Sequence, residues 1–207
     1  PIGKLVLQYE SQLIHDLLSP VAGETILDAG CGTGIFTTDF LDAGARLVGL
    51  DISAPMLHLA VRKVVKMNFA AVQGDMRQLP FADRSFDRTV SITALEFIAD
   101  ASSAIAELFR VTRPGGIIVV ATLNSLSPWA ARRQAKTQKG QRHILEGAYF
   151  RSPEELLACS PVRATAKTAI HFAKDEEPAR AVKIEEVGRR QGLNTGAFVA
   201  VRWEKPR

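Results

Sequence analysis

Apolar residues recur along the chain in two spacings, one typical of helices and the other of buried strands. In the segment 2–18, Val6, Tyr9, Leu13 and Leu17 lie three or four positions apart, with charged residues elsewhere. This spacing places the apolar side chains on one face of an α-helix. The sequence therefore predicts an amphipathic helix in an N-terminal region that covers residues 1–20.

Short apolar runs bounded by glycine, proline and polar residues predict strands over residues 25–29, 46–50, 69–72, 86–92, 117–123, 166–172 and 197–203. Helices are predicted over 35–42, from a Ser53 cap to about Val65, over 101–111, from Ser152 onwards, and in the charged segment before the last strand. Strands that alternate with helices in this way indicate βαβ units and a parallel sheet. The β-branched run 117–123 is expected to be buried on both faces of that sheet.

Length and composition favour one globular domain. The chain has 207 residues, of which 46% are hydrophobic and 23% charged, which is ordinary for a folded protein. That length supports one sizeable core and not two, so we predict a single domain over 1–207. The formal net charge of +4 permits an anionic partner without indicating one.

Several classes of protein are disfavoured by the sequence. No apolar run approaches the roughly 20 residues that a membrane-spanning helix needs, and no basic segment followed by an apolar one opens the chain. Cys31 and Cys159 form no CxxC pair, and no cluster of ligands has the spacing of a metal site. A reduced, cytoplasmic compartment and no bound metal are therefore expected.

The segment 26–34, with the sequence ILDAGCGTG, holds the most informative chemistry. A strand that ends in a glycine-rich turn and leads into a helix lets a ligand approach bare backbone and unpaired N–H groups. Asp51 lies 21 positions beyond Gly30 (51 − 30), at the end of the second strand, where a carboxylate can accept hydrogen bonds from ribose hydroxyls. Asp75 follows the third strand. These acids fall at the carboxyl ends of parallel strands, where doubly wound sheets bind ligands.

Four blocks in order carry a resemblance to a known family: ILDAGCGTG, GLDIS, QGDMRQLPFADRSFD, and RPGG before a strand. Together they closely resemble the class I S-adenosylmethionine-dependent methyltransferases, and in particular the small-molecule branch with the ubiquinone and menaquinone methyltransferases. The resemblance covers roughly residues 24–124. It implies a doubly wound, Rossmann-like α/β fold with a mostly parallel seven-stranded sheet and an antiparallel last strand.

The resemblance also implies roles for the residues of the first block. Gly30, Gly32 and Gly34 would line the methionyl part of S-adenosylmethionine, with Cys31 inside the same loop. Asp28 would help to hold that loop and the methionine amino group.

Further cofactor-binding roles follow for the ends of the next strands. Asp51 would take the ribose, Ile52 and Met76 would sandwich the adenine, and Asp75 would bind its amino group. The loop after the fourth strand borders the cofactor in this family, which adds Thr93.

A dinucleotide is the main alternative ligand for the glycine loop. Its fingerprint has the third glycine three positions after the second, where this chain has Ile35. The spacing therefore disfavours a nicotinamide or flavin cofactor.

Glu96 and Tyr9 can each be interpreted as a residue of the functional site or as a residue with no role in it. Glu96 follows the fourth strand and is the best-placed general base for an acceptor that must lose a proton. The alternative is a solvated carboxylate near a helix start. Tyr9 would close over the cofactor, as aromatic residues near the family's N-terminus can, or would simply pack in the apolar stripe of the first helix.

The polar, basic stretch 124–151 is too long for a simple connection and is expected to be a lid that determines acceptor specificity. Its cations and aromatics are Trp129, Arg132, Arg133, Lys136, Lys139, Arg142, Tyr149 and Phe150. They suit an acidic or aromatic small molecule, and a merely solvated basic face is the alternative. The modest net charge and the lack of a recognisable nucleic-acid module disfavour a nucleic-acid partner.

These observations predict an enzyme that transfers a methyl group by direct displacement to an oxygen, nitrogen or carbon atom of a small molecule. Two alternatives stay open from the sequence: a non-catalytic protein that senses S-adenosylmethionine or S-adenosylhomocysteine, and an RNA methyltransferase.

Overall fold

A computed structural model of the protein describes residues 2–64, 68–138 and 147–207, with backbone alone for 136–138. Its strands are β1 (Thr25–Ala29), β2 (Arg46–Asp51), β3 (Phe69–Gln73), β4 (Phe86–Ile92), β5 (Thr112–Leu123), β6 (Ala164–Ala169) and β7 (Phe198–Glu204). Its helices are α1 (Ile2–Leu18), α2 (Thr37–Asp42), α3 (Ala54–Lys63), α4 (Ala101–Val111), α5 (Pro128–Gln138), α6 (Pro153–Leu157) and α7 (Pro178–Gln191). A short 3-10 turn, Leu95–Phe97, follows β4.

The strands form one seven-stranded sheet in the order β3-β2-β1-β4-β5-β7-β6. Strands β1 to β5 pair in parallel, and β7 runs antiparallel to both β5 and β6. The strand order reverses beside β1, so the carboxyl ends of β1 and β4 flank the crevice where doubly wound sheets bind ligands. The predicted fold class, with its antiparallel last strand, is confirmed.

The core has two layers, one on each face of the sheet. Helices α1, α2 and α7 cover one face, where Leu17 and Phe40 pack with Val119 of β5. Helices α4 and α6 cover the other, where Ile105 packs with Val120. Neighbouring residues of β5 thus serve opposite layers, which confirms the prediction of burial on both faces. Each such side chain contributes about 1.5–3 kcal/mol when fully buried.

A buried ionic cluster fixes α7 against the end of β6. Glu185 is 1% exposed, and its carboxylate accepts hydrogen bonds from the His171 backbone N–H at 2.8 Å and from Arg189 Nε at 2.7 Å. The His171 ring nitrogen Nδ1 lies 2.9 Å from the same carboxylate. Although burial opposes ionisation, these partners lower the pKa of Glu185 to about 2. The predicted helix in this charged segment is confirmed.

Several predicted boundaries differ from the structure. The fifth strand begins at Thr112 and includes the Pro-Gly-Gly sequence, where Gly115 has φ +76° and the pairing with β4 shifts register. Strand β6 covers Ala164–Ala169 instead of 166–172, because Ile170 adopts φ +67° and leaves the sheet. Helix α2 begins at Thr37, two residues late.

Two further predictions concern helix ends. Ser53 occupies the N-cap position of α3, but its side chain makes no capping hydrogen bond. The predicted end of that helix near Val65 lies outside the described residues. Ser152 does begin α6, with a capping box in which its hydroxyl accepts from the Glu155 N–H at 3.1 Å.

The stretch 124–151 contains an α-helix, α5, which the sequence analysis did not predict. Its backbone N–H at Ala130 donates to the Ser127 hydroxyl at 3.1 Å, so a Ser-Pro pair begins the helix. Across the described parts of the chain, no helix combines the length and apolarity needed to cross a membrane.

Candidate functional site

The glycine loop after β1 has a conformation that requires glycine. Gly30 has φ +81°, and a Cβ there would lie 2.3 Å from Ala94 Cβ. The Gly30 and Cys31 N–H groups donate to the Leu50 carbonyl at 2.6 and 3.0 Å. The loop is therefore held against the end of β2, beside the turn that follows β4.

Asp51 binds the glycine loop from the end of β2. Its Oδ2 accepts a hydrogen bond from the Gly32 N–H at 2.9 Å, and its Oδ1 accepts one from the Ser53 N–H at 2.8 Å. Each carboxylate oxygen has a second lone pair, so both retain capacity for a ribose hydroxyl. The ribose role of Asp51 stays a prediction, and the structure adds a loop-holding role that the sequence did not reveal.

Asp28 lies at the end of β1 with 2% of its surface exposed. The Thr37 hydroxyl donates to its Oδ2 at 3.0 Å. Burial raises the pKa of Asp28 to about 7, with a further contribution from the charge of Asp51 and an opposing one from Thr37. A buried carboxyl poised near neutrality beside a ligand loop is typical of a functional group.

A cleft of about 250 Å³ opens where these elements meet. It brings together five of the predicted site residues, Gly30, Asp51, Ile52, Asp75 and Met76. It is also lined by residues that the sequence analysis missed: Leu50, Gly74, Arg77, Ala94, Phe97 and Ile98. The other predicted residues, Tyr9, Asp28, Cys31, Gly32, Gly34, Thr93 and Glu96, do not line it.

The walls of the cleft combine apolar and ionic groups. Ile52 and Met76 are the two residues predicted to contact adenine. Ile52 is 67% exposed, whereas Met76 is buried, with 6% of its surface exposed. The guanidinium of Arg77 donates to both carboxylate oxygens of Asp75, at 2.5 to 3.1 Å. These hydrogen bonds lower the pKa of Asp75. A ligand amino group would share Asp75 with this arginine.

Cys31 and Thr93 are the sequence neighbours of Gly30 and Ala94, which line the cleft, but do not line it themselves. Burial raises the pKa of the Cys31 thiol, which keeps it in the unreactive protonated form. Thr93 has φ +48°, a left-handed conformation unusual for threonine, and its N–H donates to the Ala121 carbonyl at 2.9 Å. Strain of this kind concentrates at functional sites. The cofactor-binding roles of both residues stay predictions.

Glu96 is buried, with 1% of its surface exposed, so the interpretation as a solvated carboxylate is wrong. Its Oε1 accepts a hydrogen bond from the Leu123 N–H at 2.9 Å, whereas its buried Oε2 has no hydrogen-bond partner. Burial raises the pKa of Glu96, opposed by its backbone hydrogen bonds, by the neighbouring Thr122 hydroxyl and by the charge of Arg151. Such a carboxyl has the character of a general base, although that role stays a prediction.

Tyr9 lies outside the cleft. Its ring is 6.1 Å from the ring of Phe172, and the guanidinium of Arg189 lies 5.0 Å from its centroid. Burial raises the pKa of its hydroxyl. These contacts favour the packing interpretation, and closure over a cofactor stays a prediction.

The basic stretch 124–151 contacts the rest of the protein at several points. The Trp129 indole N–H donates to the Phe172 carbonyl at 2.7 Å, and Arg132 forms an ion pair with Asp175 at 3.0 Å. Arg133 lies over the Phe150 ring, 5.2 Å from its centroid. The side chain of Lys136, and the whole of Lys139 and Arg142, lie outside the described residues. Among the residues that are described, no group of His, Cys, Asp and Glu could hold a metal ion.

Comparison with known proteins gives a consistent result. Residues 27–120 match the family described as "Methyltransferase domain". The chain is 34% identical to malonyl-[acyl-carrier protein] O-methyltransferase of Serratia marcescens, over 68% of this chain and 54% of that protein. It is 40% identical to demethylmenaquinone methyltransferase of Renibacterium salmoninarum, over 53% and 46%. The chain thus spans about half the length of these curated relatives.

Solved structures share the fold. A methyltransferase from Thermotoga maritima aligns with TM-score 0.74 at 21% identity, over 98% of this chain and 90% of that one. Phosphoethanolamine N-methyltransferase 2 of Haemonchus contortus, in complex with S-adenosyl-L-methionine, aligns with TM-score 0.69 at 18% identity, over 96% and 52%. At these identities the likeness shows the architecture alone.

Proposed function

Because residues 27–120 match a methyltransferase domain and the relatives are named methyltransferases, we propose that the chain is a class I S-adenosylmethionine-dependent methyltransferase that transfers a methyl group to a nucleophilic atom of a small organic molecule. The observation that carries this proposal is the cleft at the carboxyl ends of β1 and β2. There Gly30 of the glycine loop and the two acids Asp51 and Asp75 line one cleft.

The residues of the cleft fit S-adenosylmethionine. Gly30 has no side chain, so it presents bare backbone to the cleft while packing closely against Ala94. The carboxylate of Asp51 keeps lone pairs for the two ribose hydroxyls, and Met76 offers an apolar wall to a flat base. Asp28 does not line the cleft; we propose its buried carboxyl as the partner of the ligand's ammonium group, whose positive charge would favour the charged form of the carboxyl.

The donor supplies a methyl group on a positively charged sulfur, so the protein need not activate it. The chain's own contribution is to align the acceptor with the methyl group and to exclude water. Glu96 is the residue proposed to take the acceptor's proton, since its buried Oε2 has no hydrogen bond of good geometry and burial raises the pKa of its carboxyl. The Leu123 hydrogen bond fixes the direction of that carboxyl.

The name of one curated relative suggests an oxygen atom as the methyl acceptor. That relative is a malonyl-[acyl-carrier protein] O-methyltransferase, and the other is a demethylmenaquinone methyltransferase. Tyr149 and Phe150 lie next to the turn that carries Glu96 and favour an aromatic acceptor. The guanidinium of Arg133 lies above the Phe150 ring, so an acidic acceptor is the alternative. A cytoplasmic location is proposed as well, in keeping with the free thiols of Cys31 and Cys159.

Calorimetric titration of the protein with S-adenosylmethionine, S-adenosylhomocysteine and NADH tests the cofactor. The two adenosyl ligands should bind and NADH should not. Asp51→Asn should weaken binding about 10- to 100-fold, the value of hydrogen bonds to a charged group. Asp16→Asn, which removes one exposed acid from α1, is the matched control and should bind as the wild type does. Binding of NADH alone, or of no ligand, would refute the cofactor assignment.

Turnover separates an enzyme from a sensor. Incubation with S-adenosylmethionine and a panel of phenolic, enolic and carboxylate acceptors should release S-adenosylhomocysteine with at least one acceptor. Tight binding without release across the panel would instead support the sensor.

A further inference from the structure

Strand β6 forms one edge of the sheet, and its outer side is open. It lies at the end of the strand order and pairs with β7. Within the described part of the chain, no backbone hydrogen bond from outside this ladder reaches residues 164–169. In an edge strand, alternate residues direct their N–H and C=O groups away from the sheet. Those groups of β6 are therefore available to a further strand.

Two hollows run along this edge. The first, of about 300 Å³, is lined by residues 166–168, by Leu13 of α1, by Pro153 of α6 and by Leu193. The second, of about 870 Å³, is lined by residues 161–165 and by the end of β7. The second hollow ends on β6 where the first begins, so together they follow the strand for most of its length. Such a space beside an edge strand is what an added strand occupies.

The two faces of β6 differ in character. Thr165 pairs with Arg202 of β7, and Lys167 follows it on the same face, which α1 covers. Ala164 and Ala166 lie on the opposite face and pack against the core layer of α4 and α6. Because side chains alternate along a strand, those of an added strand would point in turn to these two faces.

The hollows carry an excess of positive charge. Among the described residues that line them, the acids are Asp16 and Glu204, and the cations are Arg163, Lys167, Arg189, Arg202, Lys205 and Arg207. Arg189 is already paired with Glu185, and Arg202 lies 3.9 Å from Glu204. Arg163 and Lys167 are exposed at the edge itself, so their charges face any strand that binds there.

We propose that β6 binds an extended segment of a partner protein as an additional strand, and that this segment alternates acidic and apolar residues. The acidic side chains would lie on the α1 face near Lys167, because cross-strand pairs of opposite charge are stabilising. The apolar side chains would lie on the other face, against Ala164, Ala166 and Pro153. The inference is independent of methyl transfer, since β6 lies at the other end of the strand order from β2 and β3, beside the cleft.

A second copy of the chain suits this edge less well. Residues 161–169 contain Arg163 and Lys167 and no acidic residue. Pairing of two β6 strands would bring these cations together, and like charges on facing strands are destabilising. Cations on an edge strand are one way in which proteins avoid self-association. The same cations attract an acidic strand.

Titration of the full chain with a short peptide of alternating glutamate and valine tests the proposal, with hydrogen exchange as a second readout. The peptide should bind, and at ten times its Kd it should slow exchange of the outward-facing amides in residues 164–169 about tenfold, the limit set by the fraction of free protein. A peptide of alternating lysine and valine should not bind. Binding without protection of these amides, or equal binding of the lysine peptide, would overturn the proposal.

Methylation of the peptide's backbone nitrogens tests the strand geometry. A strand has two edges, and methyl groups on alternate residues block only one of them. The peptide is therefore made in two forms, one methylated at every glutamate and the other at every valine. One form should bind as the unmodified peptide does, and the other should lose at least about tenfold in affinity, since its hydrogen bonds to β6 are blocked. Equal affinities of the two forms would overturn the added strand.

Charge reversal at the edge tests the electrostatic part. Lys167→Glu should raise the Kd of the acidic peptide about three- to thirtyfold, because an attractive cross-strand pair becomes a repulsive one. Lys174→Glu makes the same change at an exposed position outside both hollows and should bind as the wild type does. Unchanged affinity in Lys167→Glu would contradict the proposal.

Two other occupants of the edge give different results. A dimer in sedimentation analysis, with the amides of residues 164–169 protected before any peptide is added, would show that a second copy binds there. A single-stranded oligonucleotide that binds more tightly than the acidic peptide and displaces it would show a surface for nucleic acid. Either result would overturn the assignment of the partner.

Discussion

Replacement of Asp28 by asparagine should change the stability of the fold and the affinity for the ligand in opposite directions. In the folded protein this carboxyl is 2% exposed, and its pKa of about 7 lies well above its ordinary value of 3.8. Ionisation at neutral pH therefore opposes folding. Asparagine has nearly the same shape and keeps an oxygen for the Thr37 hydroxyl, which donates at 3.0 Å. We expect Asp28→Asn to be more stable than the wild type at pH 8 and to bind S-adenosylmethionine poorly.

The magnitude follows from the difference between the two pKa values. A difference of about three units at 1.36 kcal/mol per unit gives roughly 4 kcal/mol as an upper limit. The new amide N–H₂ group also needs an acceptor, which offsets about 1–2 kcal/mol. A net gain of about 2–3 kcal/mol is expected. Because the folded pKa is raised, the wild type loses stability as the pH rises from about 4 to 7, so the gain appears over that interval and is constant above it.

Urea denaturation at pH 4, 6 and 8 measures this gain, with Asp16→Asn as the control for removal of an exposed acid. The control should lie within about 0.5 kcal/mol of the wild type. Calorimetry should show at least a tenfold loss of S-adenosylmethionine affinity in Asp28→Asn alone, since the ligand ammonium loses its counter-charge. A variant that is less stable than the wild type at pH 8, or a gain independent of pH, would refute the reasoning.

Three other substitutions have definite expected outcomes. Gly30→Ala should lower the free energy of unfolding by about 2 kcal/mol or more, because its Cβ would lie 2.3 Å from Ala94 Cβ at a positive φ; an unchanged melting temperature would contradict this. Arg77→Ala should tighten S-adenosylmethionine binding up to about fivefold by releasing Asp75, and weaker binding in calorimetry would show that the arginine contacts the ligand instead. Glu185→Ala should cost about 3–5 kcal/mol in urea denaturation by leaving the Arg189 guanidinium and the His171 N–H without their partner, and the wild type should lose the same contribution as the pH falls from about 4.5 towards 2.

The parallel strands and the glycine loop were predictable because their signals are local. Strands β1 and β4 have the predicted limits, since each is a short apolar run with polar or glycine-rich neighbours. Burial on both sides of β5 follows from its unbroken β-branched run. The acids at the strand ends converge because parallel strands end at one edge of a sheet.

Helix α5 was missed because only its apolar pattern was considered. Its sequence is polar, and Ala130 is its one fully buried residue among those whose side chains are described, so the periodicity of an amphipathic helix is absent. Other signals were present: alanine, arginine and glutamine favour helices, and Ser127 followed by Pro128 is a frequent helix start. Propensity and capping together predict this helix, whereas periodicity alone does not.

The environment of Glu96 depends on contacts that no local pattern contains. Its side chain bonds to an N–H 27 residues away, at Leu123, and its carbonyl accepts from Tyr149, farther still along the chain. The 3-10 turn also reverses the exposure that hydrophobicity predicts, because Glu96 is buried while Phe97 is 66% exposed at the cleft. A chain that places a carboxyl inside and an aromatic ring outside gives up stability at both positions. That loss is explained if a ligand covers the ring and donates to the carboxyl, which is the arrangement that a bound acceptor would supply.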